Sequence, residues 1–582
     1  MRERDWVTAK FQSEPLKRSF RDLPDSFDAN SSLEPSLVLE DMLRNKPSIL
    51  KVELYDTTLR DGNQGVGVNF SVNDKLKIAR RLSEFGIDII EGGWPSESNP
   101  SEVEFFKLYK EEGVDAAVSA IGATRKPNSN PRADRNLEAL ISIESDYVTL
   151  VGKSWRLHVE KILDTTLKEN LHMITDSVEY LKEHGCKVIF DAEHFFDGFK
   201  DDPAYSVQTL KAAVDGGAST VVLCDTRGSS TPYEVYDVTR HITKTVSVPV
   251  GVHAHNDRGL ATANSIFAVM AGAEHFQGTV NGIGERCGNA NMIEFIGNLE
   301  FSLGYRTGLD LKRLRQLSEY VYEIANLTPN NYMPFVGKYA FAHKAGIHGH
   351  AVTKLPRAYE SIDPSLVGNS RNVTVSGQAG LTNIITKAQQ LGYRLDKSDP
   401  KAKEFLMKIK RMDSSGYNLE NANATLELLY ARTLGERLDY FTMINWRAFV
   451  TGENGVLHSE STVKLKVKDE SIISAGEGNG PVNAFDNALR KALETHYPEL
   501  CRVRLVGYRV REIDVERGTA AAVRVFIEFE ADGERWSTAG VSTNILKASE
   551  EALLDGYIYF LYKNKSGRVE ARQHRSMKGS ED

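Results

Sequence analysis

Lys51-Val52-Glu53-Leu54-Tyr55-Asp56-Thr57 is a short run of extended-chain formers that ends in polar residues, and it opens a series. Seven further runs of this kind follow at Ile87–Gly93, Asp115–Gly122, Tyr147–Ser154, Lys187–His194, Thr220–Thr226, Val248–Asn256 and Phe276–Glu285. Their starts lie 28 to 40 residues apart, which leaves room for a helix between most of them. Asp74–Phe85 has helical rhythm, with apolar residues at Leu76, Ile78, Ala79 and Leu82. Strands that alternate with helices build a parallel sheet. Eight such units predict a closed TIM barrel, (β/α)8, of the α/β class over residues 49–325. Polar residues collect where the runs end: Arg60, Asp61, Glu91, Lys153, Glu193, Thr226, His253, His255 and Glu285. Such barrels carry their chemistry on that rim, although the fold alone names no reaction.

Composition narrows the classes. The 582 residues are 41% hydrophobic and 26% charged, with a net charge of −8, a pI near 6.0 and a mean hydropathy of −0.36. No run approaches the ~20 apolar residues of a membrane span. The acidic balance argues against nucleic acid as a partner. Cys186, Cys224, Cys287 and Cys501 are scattered without a C-x-x-C pair, which fits a reducing compartment and no structural zinc. The opening residues mix charges of both signs and lack an apolar signal core, so the expected location is cytoplasmic.

Residues 1–48 read as an N-terminal arm with one short helix around Leu37–Leu43, and 563–582 as a flexible tail. Helical linker subdomains are expected over 326–431, around the connection Phe341–His350. Over 432–562 an internal repeat appears: Ser474-Ala475-Gly476 recurs as Thr538-Ala539-Gly540, an offset of 64 residues. The same offset pairs Val463 and Leu465 with Ile527 and Phe529, and Ala484, Ala488 and Leu489 with Ala548, Ala552 and Leu553. This predicts an α+β domain of two pseudo-two-fold copies, suited either to holding a small effector or to dimerisation.

His253-Ala254-His255 lies in a strand-like run, so both imidazoles share a face with Gly251 while Val250 and Val252 face the helices. Alone, H-x-H is equally compatible with two polar core residues. Asp61 after the first run and Asn289 after the last add oxygen ligands. Mixed N/O ligation with open positions suits Mg²⁺, Mn²⁺ or Zn²⁺ acting as a Lewis acid. Arg60 is placed either to stabilise an oxyanion or to form a structural ion pair.

Asp56–Gly62, His253–Asp257 and Gly284–Asn289 together resemble, in order, the three signature motifs of the 2-isopropylmalate, homocitrate and citramalate synthase family. These are metal-dependent barrels that condense acetyl-CoA with a 2-oxo acid. Phe105-Phe106, Gly152–Trp155, Asp191–Gly198 and Gly476–Ala484 are similar more specifically to the citramalate synthase branch, and the resemblance runs from about 51 to 562. It implies pyruvate as acceptor, citramalate and CoA as products, and a place in isoleucine biosynthesis. The same condensation on a larger 2-oxo acid is the alternative, followed by an acyl-CoA lyase or an inactive amino-acid sensor.

The resemblance also implies roles. Asp61, His253, His255 and Asn289 would be metal ligands, Arg60 would support the developing oxyanion, and Thr226 would hold the 2-oxo acid carboxylate. Lys153 and Glu285 are expected beside the substrate, and Glu193 near the thioester. His348 and Tyr359 would reach the site of a neighbouring subunit in a homodimer or higher oligomer, and either His348 or Glu193 would be the base. The C-terminal repeat would bind isoleucine or leucine, with Gly476, Gly478 and Gly480 offering backbone amides. One departure stands out. Arg227-Gly228-Ser229 replaces the branch's usual Asn-Gly-Gly, and local pairing of Arg227, for instance with Asp225, is expected ahead of a substrate contact.

Overall fold

Eight parallel strands close on themselves in chain order: β1 (Glu53–Asp56), β2 (Ile89–Gly93), β3 (Ala117–Ala123), β4 (Tyr147–Lys153), β5 (Val188–Glu193), β6 (Thr220–Asp225), β7 (Val250–Ala254) and β8 (His275–Gly278). β8 pairs back onto β1, Glu53 opposite His275 and Asp56 opposite Gly278. The computed structural model describes residues 51–565 except 454, so the helix expected around Leu37–Leu43 and the tail after 565 lie outside the described residues. Among them, no helix is long and apolar enough to cross a membrane.

Each strand leads into a helix that shields its outer face. The helix Val72–Phe85 starts at a capping box, Ser71 with Asp74, and buries Leu76, Ile78, Ala79 and Leu82. The helix Met292–Phe301 seals β8, where Phe276 stacks on Phe295 with ring centroids 3.5 Å apart. Side chains alternate across each strand. On β7, Val250 and Val252 join the outer core while Gly251 and His253 face the barrel axis. Inside, Tyr55, Ile89, Ile189, Val222 and Cys224 form a small apolar cluster.

The eighth run is shorter than expected. Its strand ends at Gly278, and Val280–Gly282 makes a tight turn with Asn281 at φ 65°. Asn281-Gly282 favours left-handed backbone, which ends a strand. The chain then doubles back, so that Asn256 N–H donates to the Gly288 carbonyl and Asn289 pairs with His255.

Beyond the barrel the linker is mostly helical, from Gly346–Lys354 to Asn423–Leu434, with one small parallel pair, β9 (Ala342–His343) and β10 (Asn372–Val373). The last of these helices runs through position 431, and the next strand begins at Phe441. The C-terminal region is two sheet-and-helix copies. β11 (Phe441–Glu453), β12 (Val456–Val467) and β13 (Glu470–Gly478) carry the helix Pro481–Leu493. β14 (Arg504–Glu512), β15 (Val523–Ala531) and β16 (Glu534–Ser542) carry the helix Ile545–Lys565, which extends past 562. The residues paired by the 64-residue offset, Val463, Leu465, Ile527 and Phe529 on strands and Ala484, Ala488, Ala548 and Ala552 on helices, are all fully buried.

The offset also explains two glycines. A Cβ on Gly476 would lie 2.9 Å from the Ala484 carbonyl and 2.5 Å from Ala488 N, and one on Gly540 would lie 2.0 Å from the Ala548 carbonyl. Both halves press helix backbone onto sheet at the same place. Gly478 is similarly closed, its Cβ position 2.5 Å from Ala484 N, whereas Gly480 faces open space. Gly476→Ala should therefore destabilise the C-terminal unit by about 2 kcal/mol through overpacking. Gly480→Ala should change it by less than about 0.5 kcal/mol. Denaturant unfolding followed by the fluorescence of Trp446 and Trp536 checks both, and equal stability of the two variants would refute the packing role.

Candidate metal centre and active site

The turn after β1 places Arg60 and Asp61. Asp56 is buried outside the barrel wall and accepts from Thr58 N–H and Thr58 Oγ1, both at 2.9 Å. Burial pushes its pKa up to about 7. The turn closes with Gly62 N–H on the Thr57 carbonyl, which carries Arg60 and Asp61 over the mouth. β7 delivers His253 and His255, and the doubled-back loop after β8 delivers Asn289. That loop depends on Gly288, at φ 86°, where a Cβ would lie 1.9 Å from the Gly282 carbonyl.

These groups meet at one point. Asp61 Oδ2 lies 3.4 Å from His253 Nε2 and 3.8 Å from His255 Nε2, and the two Nε2 atoms are 3.4 Å apart. Asn289 Nδ2 is 3.1 Å from Asp61 Oδ2. All four residues are buried. Asp61 Oδ1, His255 Nδ1 and Asn289 Oδ1 have no hydrogen-bond partner among the described residues. Buried polar atoms left this way are costly unless something else satisfies them. Ligand atoms about 2.1 Å from an ion sit about 3.0–3.5 Å from one another, so one carboxylate and two imidazoles at these separations fit a divalent cation.

Electrostatics agree. Burial opposes ionisation of Asp61, but the Arg60 guanidinium and then His253 hold its carboxyl well below the usual range. Burial also opposes a charge on His253, yet the Asp61 carboxylate outweighs it and raises its pKa. His255 is pushed down to about 3 by burial and by the charge on His253, so it stays a neutral donor.

Arg60 is fixed at two points. Its Nε donates to Glu91 Oε2 at 2.5 Å and its Nη1 lies 3.1 Å from Asp61 Oδ2, while Nη2 has no partner among the described residues. Glu91 is fully buried on β2 and also accepts from the Tyr55 hydroxyl at 2.9 Å. The structural ion pair is therefore present, and one guanidinium edge is still unused.

Farther around the rim, Lys153 is paired with Glu193. His194 N–H donates to Thr226 Oγ1 at 2.9 Å, which leaves the threonine proton for another acceptor. Arg227 pairs locally, but with Asp197 at 3.6 Å, and it lies over the Trp155 ring. Asp225 is occupied instead by Ser229 N–H, Ser230 N–H and Asn264. The partner of Arg227 comes from another β/α loop, which local sequence does not reveal. Glu285 is exposed on its loop and its side chain pairs with none of these residues, whereas its neighbour Arg286 binds Asp257 and the Thr226 carbonyl. His348 and Tyr359 are exposed and lie against each other, rings tilted by 31° with centroids 4.2 Å apart, with no hydrogen bond to the barrel mouth among the described residues.

Sequence reasoning passes over Gln277, Asp191 and His275, which fill the barrel beneath the ligands. Gln277 joins His253 Nδ1 at 3.0 Å to Asp191 Oδ1 at 3.0 Å. Polar residues at alternate positions of His275-Phe276-Gln277, a strand buried on both faces, are the available signal.

The HMGL-like family model matches residues 51–321, the homocitrate synthase post-HMGL domain-like model 335–416, and the LeuA allosteric (dimerisation) domain model 420–561. The chain is 47% identical to the (R)-citramalate synthase of Geobacter sulfurreducens over 519 residues, 88% of this chain and 98% of that protein. It is also 47% identical to the (R)-citramalate synthase of Aquifex aeolicus, over 88% of this chain and 98% of the relative. The 2-isopropylmalate synthase of Methanocaldococcus jannaschii is 32% identical, over 91% of this chain and 99% of the relative. With barrel, linker and C-terminal domain all matched in order, and nearly half of the positions shared with these synthases, the chain belongs to the (R)-citramalate synthase family.

Proposed function

We propose that this enzyme condenses acetyl-CoA with pyruvate to give citramalate and CoA. The observation that carries the reading is the buried Asp61–His253–His255 set beside Asn289 and the half-engaged Arg60, in a chain 47% identical to a named citramalate synthase over 88% of its length. Asp61, His253, His255 and Asn289 would hold a divalent cation, Mg²⁺ or Mn²⁺ in preference to Zn²⁺. When bound, the ion supplies Lewis acidity to the 2-oxo acid.

The chain's own groups do the rest. Thr226 Oγ1, already accepting from His194 N–H, donates its proton to the pyruvate carboxylate. Arg60 Nη2 stabilises negative charge as it develops on oxygen. The base removes a proton from the acetyl methyl group, and the resulting carbon attacks the ketone of pyruvate. The new alkoxide takes up a proton, and water cleaves the thioester, releasing CoA thiol and leaving two carboxylates. Glu193 is engaged by Lys153, whereas His348 has no polar partner among the described residues. We assign His348 as the base, with Tyr359 beside it, both supplied by the second subunit of a homodimer. Lys153 stays at the mouth as a charge facing substrate, and exposed Glu285 serves the loop that places Asn289. The C-terminal repeat is read as the seat of isoleucine feedback in a cytoplasmic enzyme of isoleucine biosynthesis, with Gly480, just past β13, the one of its three glycines whose Cβ side is open.

A thiol-release assay with pyruvate, 2-oxoisovalerate and 2-oxoglutarate tests the substrate. Pyruvate should give a kcat/KM at least about tenfold above the others, a difference of about 1.4 kcal/mol in transition-state binding. Faster release with 2-oxoisovalerate would make the enzyme a 2-isopropylmalate synthase. Chelation should abolish release and Mn²⁺ restore it, and His253→Ala should lower kcat/KM by at least about a hundredfold. Because His253 must lose its proton to bind an ion and its pKa is raised, metal affinity should weaken as pH falls through that titration. Activity in metal-free enzyme contradicts the assignment. Subunit sharing is read from mixed dimers: Asp61→Asn and His348→Ala protomers, each inactive alone, should recover up to about one quarter of wild-type activity after exchange. No recovery after verified exchange places the base within one chain.

A further inference from the structure

Gln277 is fully buried on β8, directly across from His253 in the strand pairing. Every polar atom of its side chain is used. Oε1 is 3.0 Å from His253 Nδ1, and Nε2 is 3.0 Å from Asp191 Oδ1 and 3.4 Å from His275 Nε2. Deeper still, His275 Nδ1 lies 2.8 Å from Glu53 Oε2.

The donor and acceptor rules settle the direction of this chain. A carboxylate accepts, so Glu53 takes the proton on His275 Nδ1, and in that tautomer His275 Nε2 is an acceptor. Asp191 Oδ1 is an acceptor too. The Gln277 amide nitrogen must therefore face both of them, and its carbonyl oxygen must face His253. Rotating the amide by half a turn would set Oε1 against the Asp191 carboxylate and His275 Nε2, both acceptors. With Oε1 held in place, the His253 proton sits on Nδ1. The Nε2 lone pair is then presented to the point shared with Asp61 and His255.

We propose that Gln277 is a positioning residue for the metal: it locks His253 in the Nδ1–H form, and Asp191, His275 and Glu53 set the lock. The assignment rests on Asp61, His253 and His255 being metal ligands. It predicts a role in metal affinity for residues that touch neither metal nor substrate, and an orientation fixed from the far end of the barrel. Outer partners of this kind change metal affinity by about 10–100-fold when removed.

The test measures Mn²⁺ binding to full-length apoenzyme from the loss of the free-ion electron paramagnetic resonance signal, with no turnover required. Gln277→Leu keeps the bulk and removes the acceptor, and should weaken the Mn²⁺ Kd by about 10–100-fold. The paired exchange Gln277→Glu with Asp191→Asn reverses the roles of acid and amide. A carboxylate at position 277 then accepts from His253 Nδ1–H and from the new amide at position 191, and a second proton on His275, at Nε2, meets its remaining oxygen. That double variant should bind within about threefold of wild type, because the lock is rebuilt. Melting temperatures of the apo forms separate a packing defect from a lost lock. If Gln277→Leu does not fold, Gln277→Met takes its place with the same expectation. Folded Gln277→Leu or Gln277→Met binding Mn²⁺ as wild type does overturns the inference, as does a well-folded double variant no better than the single one. Wild-type protein that takes up no Mn²⁺ would instead overturn the metal-site reading beneath it.

Discussion

Two imidazole nitrogens 3.4 Å apart, facing a buried carboxylate, make a ready place for positive charge. Either a proton or a metal ion can supply it, and the proposed function assigns it to the ion. Burial drives the charge off His255 and leaves three neighbouring polar atoms without partners among the described residues. This constraint reaches across the chain, because the Asn289–Asp61 contact joins residues 228 apart. It forms only if β8 meets β1, so closure of the barrel and assembly of the site are one event. In the low-dielectric mouth each of these interactions is stronger than it would be in water.

The same logic explains a polar barrel interior. A guanidinium beside a buried carboxylate is costly unless both are well paired, and breaking such a pair is worse than never having made it. Arg60 is held by Glu91 and Asp61, and Glu91 in turn by Tyr55, which also contacts Thr149 at 2.7 Å. The network fixes Arg60 beside Asp61 and leaves one edge of its guanidinium open. At the other end of the molecule, the linker helix Asn423–Leu434 is clamped to the C-terminal helix. Glu427 accepts from Lys563 and from the Tyr559 hydroxyl, and Arg432 meets Asp555 at 2.8 Å. The linker that carries His348 thus shares a hydrophobic core and ion pairs with the C-terminal unit.

What can be read in the sequence follows from what is periodic. Eight strand–helix units, the shared face of His253 and His255, and the offset-64 copies all show in residue spacing, because core positions must repeat with the elements they belong to. Non-local choices do not show. The eighth strand reads too long because Val280–Glu285 resembles extended chain until Asn281-Gly282 turns it. Arg227 finds Asp197, not Asp225, through a neighbouring loop. Gly476 and Gly478 suggest an amide-lined loop, and the structure gives them helix-on-sheet packing that Gly540 repeats. Gln277 escapes a reading of the sequence because a neutral amide in a strand carries no charge pattern, and its meaning depends on four residues from four strands.

The most direct measurement is a crystal structure of the Mn²⁺-loaded enzyme, with the ion located by its anomalous scattering. The account predicts a single strong peak at the mouth, about 2.0–2.3 Å from Nε2 of both His253 and His255 and bonded to Asp61, with His253 Nδ1 still on Gln277. A peak elsewhere, ligation through Nδ1, or an empty mouth in an enzyme that is fully active would contradict it.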